Sequence, residues 1–483
     1  MFLKFKDTIN ILLLSTGIFL FVIDLFIVNV SLRSITQALG MSNSEAQGVI
    51  ILYVIGYASV LISAGKLGIN VGRKKIYLIG MAGFTCSSLL CGCANSIVLL
   101  LTGRLLQGLS AGFMVPQGIS FIPVLFTNRA RRSWAMGLYG SIAGLASVVG
   151  QLLGGILPDV TWIPDSWRLI FLINVPIGIG AWIAIYQRLP EVDRVRSQCM
   201  DVTGMMTLFL LLIGGLTPLI LGPEHQWPSW TLYMLFITIL SLLIFLAFQQ
   251  KRSKQGLDVI LDLRPFQKRV FLIGLLTAVC YYMVQDAYFI INSLHLQDMH
   301  GFTPTHTGVA FVFQGVGYVL ASLTVNRLVA RLGKYMVLIG LFVMVCGLIG
   351  HLYLFDAPHP CYVHICFLFF FYGLGCGTVL PALMTLALQD MNAAEIGIAS
   401  GLYLTVQQVA ICLGIAFVVG IYLYASQEPI THDHYVSKAY VYSTICSVGL
   451  LLLVMLFMSI IPFVNQKQRK TAMFHTRAVR DRT

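Results

Sequence analysis

Three charged residues lie inside long apolar stretches of the sequence. Asp24 stands in LFVIDLFIVNV, Arg104 in LLLTGRLLQGL and Asp286 in YYMVQDAYFII. A charge in the hydrocarbon core of a membrane is costly, so such a residue predicts a functional site. Burial of a carboxylate favours its protonated form, whereas a neighbouring arginine favours the ionised form. These residues therefore predict proton binding that is coupled to the movement of a solute.

Two of the three charges are expected to pair. Asp24 and Arg104 both fall in the outer halves of their predicted helices, so the side chains can meet at one depth. The pair either exchanges protons or is a static structural contact. Two repeated loop motifs give an offset of 261 residues, which carries Asp24 to position 285, beside Asp286. The repeat of GLSAGFMVP has an offset of 265 residues and places the apolar Phe369 opposite Arg104. Asp286 either binds a proton or cation in a shared cavity or lies solvated near its outer mouth.

Polar side chains within the apolar stretches are the candidates for contact with the solute. Every polar group in a membrane needs a partner, so hydrogen bonding between helices is the competing role for each of them. The candidates for the solute cavity are Asn29, Tyr53, Tyr57, Gln117, Gln285, Gln314 and Gln407.

The composition requires a membrane around most of the chain. Of 483 residues, 58% are hydrophobic and 10% are charged, whereas soluble domains carry about 25% charged residues. The net charge of +12 comes from basic residues in short connecting segments, which indicates membrane topology and not nucleic-acid binding. Most of the eleven cysteines lie in apolar stretches, where small packed thiols are expected.

No metal, cofactor or enzymatic site is expected. His432 and His434 have a spacing that metal ligands use, but no compact set of three or four ligands accompanies them. The short connecting segments offer no nucleophile–base pair, so a membrane-embedded enzyme or sensor is only a remote alternative.

Fourteen stretches meet the requirement of about 20 mostly apolar residues for a membrane-crossing helix. They are residues 9–30, 46–66, 76–95, 97–118, 134–157, 167–187, 203–222, 229–249, 270–291, 306–327, 336–355, 361–387, 397–424 and 438–463. The even number places both termini on one side. Since 27 of the 31 Lys and Arg residues lie in the termini and in every second connection, that side is predicted to be cytoplasmic.

The chain also repeats internally. GLSAGFMVP at 108–116 returns as GLGCGTVLP at 373–381, and two repeated halves around a pathway are typical of secondary transporters. We expect an all-α integral membrane protein with two six-helix bundles and two inserted helices. The predicted units are an N-terminal bundle at 1–190, an insertion with cytoplasmic linkers at 191–269, a C-terminal bundle at 270–465 and a basic cytoplasmic tail at 466–483.

These motifs resemble the fourteen-span drug:proton antiporter family of the major facilitator superfamily, most closely over residues 15–190. The matching residues are Asp24, Val28, Asn29 and Val30 in helix 1, Arg104, Gln107, Gly108, Ala111 and Gly112 in helix 4, and Trp167, Arg168, Asn174 and Pro176 in helix 6. The resemblance implies the major facilitator fold, alternating access and exchange of protons for an amphipathic compound. It also makes Asp24 and Arg104 the proton-linked residues.

The resemblance implies conformational residues as well. In the loop 65–75 these are Gly65, Gly72, Arg73 and Lys74, and in helix 5 they are Gly150, Gln151, Gly154 and Gly155. Arg73 and Lys74 are expected to interact across the two halves. Three positions depart from the family pattern: Ile69 replaces an aspartate, Gln151 replaces a proline and Arg33 often corresponds to a proline. Gln151 keeps the N–H that proline lacks, so the argument for a kink there weakens.

The sequence therefore predicts a secondary active transporter that exports a small amphipathic molecule in exchange for protons. A drug-like compound or a secreted metabolite such as a siderophore fits this description. The alternative is an uptake or facilitative permease of the same fold, because the layout does not fix the direction. The expected partners are the solute, protons and the bilayer of a bacterial inner membrane, and a periplasmic adaptor is left open.

Overall fold

The computed structural model describes residues 5–191, 201–255, 259, 263–332, 334–357, 360–391, 395–426 and 437–460, and these ranges contain helices and no strand. The α-helices are α1 Phe5–Leu39, α2 Asn43–Val71, α3 Arg73–Gly92, α4 Ile97–Leu125, α5 Arg129–Ile156, α6 Leu169–Leu172, α7 Asn174–Arg188, α8 Val202–Glu224, α9 Ser229–Lys254, α10 Arg269–Asp298, α11 Pro304–Leu332, α12 Lys334–Phe355, α13 Tyr362–Ala387, α14 Ile396–Gly414, α15 Gly420–Ala425 and α16 Lys438–Ile460. Short 3-10 turns, Ser166–Arg168 and Arg264–Gln267, precede α6 and α10, and a π-helical turn, Ile415–Val419, joins α14 to α15.

Fourteen segments within the described ranges are long and apolar enough to cross a membrane. The prediction of an all-α protein with fourteen spans is therefore confirmed. The sixth span consists of the turn Ser166–Arg168 with α6 and α7, and the thirteenth contains α14 and α15 with the π-helical turn between them. We refer to α1–α7 as the N-terminal half, to α8 and α9 as the insertion, and to α10–α16 as the C-terminal half.

The first helix is longer than its apolar stretch. The prediction ended it at residue 30, but α1 continues to Leu39 and stops at Gly40, whose φ is +62°. Glycine adopts this left-handed conformation without steric cost and commonly ends helices. Residues 31–39 continue the helix because they contain no breaker, although they are less apolar than the stretch before them. Asp24 consequently lies near the middle of α1 and not close to its end.

The internal repeat is visible in the packing of the two halves. In each half, glycines of one helix lie directly against the backbone of a neighbouring helix, α4 on α2 and α13 on α11. Small residues permit this close approach of membrane helices. The equivalent contacts are Gly108 on Tyr53 with Gly373 on Gln314, and Gly112 on Tyr57 with Gly377 on Tyr318.

The two ends of the helix bundle differ in charge and in packing. We call the end with the Lys- and Arg-rich connections, such as 66–75 and 128–133, the basic face, and the other end the opposite face. Near the opposite face the halves meet closely, where Gly155 of α5 lies on Gly308 of α11. Toward the basic face, a side chain added at Gly144 or Gly401 would meet no atom within 4 Å. The halves are therefore in close contact at the opposite face, and the two glycines nearer the basic face border open space.

The insertion lies outside the two halves. Its helices α8 and α9 pack on each other, and α8 also packs on α2. Together α2, α4 and α8 line a partly open, mostly apolar pocket of about 210 Å³. At the basic face, the buried carboxylate of Asp201 accepts hydrogen bonds from Gln249 Nε2 at 2.9 Å and Arg252 Nη1 at 3.2 Å. These bonds tie the start of α8 to the end of α9.

Candidate functional site

Asp24 and Arg104 form an ion pair inside the N-terminal half, and both side chains are completely buried. Nη1 of Arg104 donates to Oδ2 of Asp24, while its Nε donates to the carbonyl oxygen of Val49 in α2 at 2.8 Å. The predicted contact between the two charges is thus confirmed. A buried pair of this kind tolerates the loss of neither partner, because the remaining charge would be left without compensation.

Two side-chain amides complete the shell of Asp24. Gln107 Nε2 and Asn174 Nδ2 each donate to Oδ1 at 2.9 Å. The same amide groups also donate to the hydroxyl of Ser88, at 3.1 and 3.2 Å, and Ser88 donates to the carbonyl of Phe171 at 2.9 Å. Asp24 therefore accepts three hydrogen bonds, which suits the acceptor-only character of an ionised carboxylate.

The hydrogen bonds of this network join five membrane spans. Asp24 comes from α1, Ser88 from α3, Gln107 from α4 and Asn174 from the start of α7. The fifth span is α2, where the Val49 carbonyl accepts a hydrogen bond from Arg104. The break between α6 and α7 lies just before Pro176, which has no N–H to donate to the carbonyl four residues earlier. Gln107 and Asn174 belong to the motifs of the sequence but had no assigned role there, and Ser88 gave no signal.

Aromatic rings cover the ion pair. The guanidinium carbon of Arg104 lies 4.1 Å from the ring centre of Tyr53 and 5.7 Å from that of Phe171. An aromatic face attracts a cation, and this attraction strengthens when water is absent. The hydroxyl of Tyr53 donates to the carbonyl of Phe21 at 3.0 Å. Tyr53, proposed for the solute cavity, thus belongs to the wall of the ion pair.

Asp286 lies in the C-terminal half, and its surroundings differ from those of Asp24. It is buried in α10, and among the described residues its carboxylate forms neither an ion pair nor a hydrogen bond. Tyr282 of α10 and Cys412 of α14 lie close enough to interact electrostatically with its carboxylate. The preceding residue, Gln285, faces α13 instead, where the thiol of Cys376 donates to its Oε1 at 3.6 Å. The structure therefore does not bring Asp286 into contact with the Asp24–Arg104 pair.

The remaining cavity candidates fall into two groups. Gln117 and Tyr57 hold helices together: Gln117 Nε2 donates to the carbonyl of Ala64 at 2.7 Å, and the Tyr57 ring stacks on Phe21 at 4.2 Å. Their contacts support the competing, structural role.

The second group is not assigned to helix packing by its described contacts. Asn29 is buried, and its Oδ1 has no hydrogen-bond partner among the described residues. Gln407 of α14 is half-buried, and Gln314 of α11 lies beside the thiol of Cys376. These three side chains stay candidates for solute contact.

The loop between α2 and α3 contacts the N-terminal half in this conformation. Gly72, with φ +115°, separates the two helices. Arg73 Nη1 donates to the carbonyl of Ser120 at 2.9 Å, and Lys74 Nζ lies 5.6 Å from the ring centre of Tyr186. Interaction of Arg73 and Lys74 across the halves stays a prediction for a conformation in which the basic face is closed. Gly65 has open space beside it.

The glycines of α5 serve close packing. Gly150 and Gly154 lie against the backbone of α1, and Ser31 of α1 donates to the carbonyl of Gly154 at 2.7 Å. Gly155 lies against α11 of the other half. The helix runs unbroken through Gln151, whose buried Oε1 has no hydrogen-bond partner among the described residues. The expectation that Gln151 would not produce a proline-type break agrees with this geometry.

A group of polar contacts closes the opposite face, and we call it the α1–α10 latch. Arg33 Nε of α1 binds Asp298 Oδ1 of α10 at 2.8 Å. The carbonyl of Val30 accepts hydrogen bonds from Gln297 Nε2 at 3.0 Å and from Ser293 Oγ at 3.4 Å. Arg33, a departure from the family pattern, thus supplies an ion pair between the halves.

A second contact between the halves lies beside the latch, where Asp159 Oδ2 accepts the backbone N–H of Thr305 at 2.9 Å. His432 and His434 lie outside the described residues. Within the part of the chain that the structure describes, no group of three or more His, Cys, Asp or Glu residues is arranged to hold a metal ion.

Comparison with known proteins gives a consistent result. The family model described as Major Facilitator Superfamily matches residues 12–198 and 197–415. The probable actinorhodin transporter of Streptomyces coelicolor is 29% identical over 437 residues, which cover 86% of this chain and 73% of that protein. The methylenomycin A resistance protein of Bacillus subtilis is 27% identical over 418 residues, or 86% and 87% of the two chains. The puromycin resistance protein of Streptomyces alboniger is 28% identical over 408 residues, or 82% and 78%.

Solved structures share the fold at low sequence identity. The inward-open xylose transporter XylE from E. coli superposes with a TM-score of 0.65 and 15% identity, and the match covers 95% of this chain and 96% of that one. The nucleoside transporter NupG superposes with a TM-score of 0.64 and 13% identity, over 93% and 99% of the two chains.

Proposed function

Because the chain belongs to the major facilitator superfamily, we propose that this multi-pass membrane transporter exports a small amphipathic, drug-like molecule in exchange for protons. The relatives named for actinorhodin transport and for methylenomycin and puromycin resistance support export of a compound of this class. A secreted metabolite such as a siderophore has the same chemical character. Uptake or facilitated permeation by the same fold is the alternative.

The buried Asp24–Arg104 pair is the observation that carries the proton coupling. Its carboxylate is the acceptor of three hydrogen bonds from α4 and from the break before α7. A movement of α1 relative to α4 would separate the carboxylate from the guanidinium and change its affinity for a proton. We infer that proton binding at Asp24 and displacement of Arg104 are one event in the transport cycle.

The basic face is the cytoplasmic face in this proposal, since it carries most of the Lys and Arg residues. Both termini then lie in the cytoplasm of a bacterial cell, and the protein spans the inner membrane. The described conformation, with its closed α1–α10 latch, is the inward-facing one. Solute enters between the halves from the cytoplasm and leaves when the latch opens. A periplasmic adaptor is compatible with this arrangement but is not required by it.

Flux measurements in inverted membrane vesicles test the proposal. A fluorescent amphipathic cation is added outside, and a proton gradient is imposed with the vesicle interior acidic. We expect accumulation inside wild-type vesicles, collapse of that accumulation by a protonophore, and its loss in Asp24→Asn. Absence of gradient-driven accumulation for a panel of antibiotic-like compounds, together with normal facilitated flux, would support the permease alternative.

Asp201→Asn is the matched control. Asp201 is also a buried carboxylate that binds an arginine, but it lies in the insertion. Its variant is expected to retain gradient-driven accumulation. Equal loss in Asp24→Asn and Asp201→Asn would indicate a general structural effect, and normal export in Asp24→Asn would refute the assignment of Asp24.

A further inference from the structure

A second buried group of ionisable side chains lies in the C-terminal half. His295 of α10 and His351 of α12 are both 0% exposed, and none of their four ring nitrogens has a hydrogen-bond partner among the described residues. The His351 ring interacts with the backbone of Gly347 one turn earlier, but without the geometry of a hydrogen bond. A neutral imidazole carries one donor and one acceptor, and buried polar groups are nearly always paired. Two unpaired imidazoles together therefore indicate a function.

The surroundings of the two histidines are aromatic. The His295 ring stacks on Tyr440 with ring centres 4.3 Å apart. The ring centre of Phe355 lies 5.2 Å from that of His295 and 5.5 Å from that of His351. The ring centre of Phe369 lies 5.0 Å from that of His351. Aromatic faces stabilise a cation that has no water around it. The walls of this cluster can therefore hold a protonated imidazole even though no carboxylate among the described residues touches either ring.

Other titratable groups approach the cluster from several elements. They are Tyr288 of α10, His300 in the connection after α10, Tyr372 of α13, Tyr422 of α15 and Tyr440 of α16, with the Arg33–Asp298 pair beyond Tyr422. Partial burial lowers the pKa of His300 below its ordinary value, so this residue is neutral at pH 7. The phenols are neutral at this pH as well. Among the described residues, no fixed charge is in direct contact with His295 or His351.

The cluster and the α1–α10 latch share a helix. Ser293, Gln297 and Asp298 of α10 contact α1, while His295, between them in sequence, contacts α12 and α16. When the latch is closed, both histidines are sealed from water, and an unpaired charge in such a place is costly. The closed latch therefore favours neutral rings. Opening would withdraw α1 from this part of α10 and admit water, which removes that cost.

We propose that His295 and His351 form a second proton-binding site, which takes up a proton while the opposite face is open and releases it when the α1–α10 latch closes. The proposal rests on alternating access but not on Asp24 as the coupling residue. Since the open form binds the proton more tightly, a lower pH shifts the population toward the open form. For one linked proton, the ratio of open to closed molecules changes by at most about tenfold per pH unit.

The test measures the opening of the opposite face directly. Spin labels on noncanonical residues at Ala38, near the end of α1, and at the exposed Val363, near the start of α13, report the distance between the halves. The full-length protein in nanodiscs is measured by double electron–electron resonance at pH 8, 6.5 and 5. We expect the long-distance population of the wild type to grow as the pH falls.

Four variants identify the side chains that cause the response of this distance to pH. His295→Gln/His351→Gln is expected to lose the response, with less than about a twofold change in the population ratio over the full range. His351→Phe keeps an aromatic ring in the cluster without a proton-binding nitrogen and should weaken the response by at least half. His364→Gln, an exposed histidine at the same face, should respond as the wild type does, whereas Asp24→Asn should retain the part of the response that His295 and His351 supply.

Several results would overturn the proposal. They are a wild-type distance distribution that does not change with pH, an unchanged response in His351→Phe or in the double variant, and loss of the response in Asp24→Asn. The last result would assign the response to Asp24 and would support the proposed function alone. If transport by Asp24→Asn fails while the pH response persists, the two sites are separate.

Discussion

The two halves hold their buried ionisable groups in opposite ways. In the N-terminal half, Asp24 accepts three hydrogen bonds, and Arg104 bonds to Asp24, Gln107 and a backbone carbonyl. In the C-terminal half, Asp286 has no described hydrogen bond, and the ring nitrogens of His295 and His351 have no hydrogen-bond partner among the described residues. The repeat places the apolar Phe369 where the first half has Arg104. One half contains a paired charge, and the other contains isolated groups among aromatic rings.

The difference predicts opposite responses to substitution. Removing one partner of a paired buried charge leaves the other without compensation, whereas removing an isolated buried acid leaves nothing unpaired. A repeated fold thus permits one half to be organised by electrostatics and the other by aromatic packing. Four substitutions test whether paired and isolated buried groups respond differently, and they follow in order of decreasing expected effect.

Arg104→Ala is expected to have the largest effect. It leaves the Asp24 carboxylate buried without its cation, so we expect a loss of about 3–5 kcal/mol of stability and no gradient-driven transport. Thermal or denaturant unfolding in detergent measures the stability. The exposed Arg188→Ala is the control and should change little. The double variant Asp24→Asn/Arg104→Ala should regain part of the stability but not transport; wild-type stability in Arg104→Ala would contradict the contrast.

Asn174→Ala removes one donor to Asp24 and leaves the ion pair in place. Hydrogen bonds to charged groups contribute about 1.5–3 kcal/mol, so a loss within this range is expected by the same unfolding measurement. Asn29→Ala is the matched control in α1, because the Oδ1 of Asn29 has no partner. Equal losses in the two variants would mean that the network around Asp24 contributes nothing beyond packing.

Asp286→Asn should not destabilise the protein and is expected to raise its stability by up to about 1 kcal/mol. The acid has no hydrogen bond to lose among the described residues, and burial of an unpaired polar group is unfavourable. Asp24→Asn, measured beside it, should lower stability. A loss of stability in Asp286→Asn as large as in Asp24→Asn would remove the contrast between the halves.

Arg33→Ala tests the connection between the halves and has the smallest expected effect. The pair with Asp298 is partly exposed, since 29% of the Arg33 side chain and 44% of the Asp298 side chain are accessible. Exposed ion pairs contribute about 0.2–1 kcal/mol to stability. The open population in the Ala38–Val363 distance measurement should rise by about fivefold at most. Charge reversal by Arg33→Asp/Asp298→Arg should restore closure, and salt should weaken the pair. An unchanged open population in Arg33→Ala would exclude the Arg33–Asp298 pair as a contributor to closure.

The number of spans and the positions of the buried charges depend on local composition, so they could be predicted from the sequence. Fourteen apolar stretches predicted fourteen spans, and the rarity of charges within them singled out Asp24 and Arg104, because a membrane makes both hydropathy and charge informative without any knowledge of contacts. The orientation of the termini also follows from local charge and stays a prediction.

The partners of these side chains depend on tertiary packing and could not be predicted from the sequence. Asn174 reaches Asp24 across 150 residues of sequence, Ser88 links two amides without any motif of its own, and Arg33 finds Asp298 in the other half. Asp286 lies beside the position that the repeat predicts, but one residue along a helix turns a side chain by about 100°, toward α14 instead of α13. Hydropathy places a residue at a depth in the membrane, whereas its partner depends on how separate helices pack.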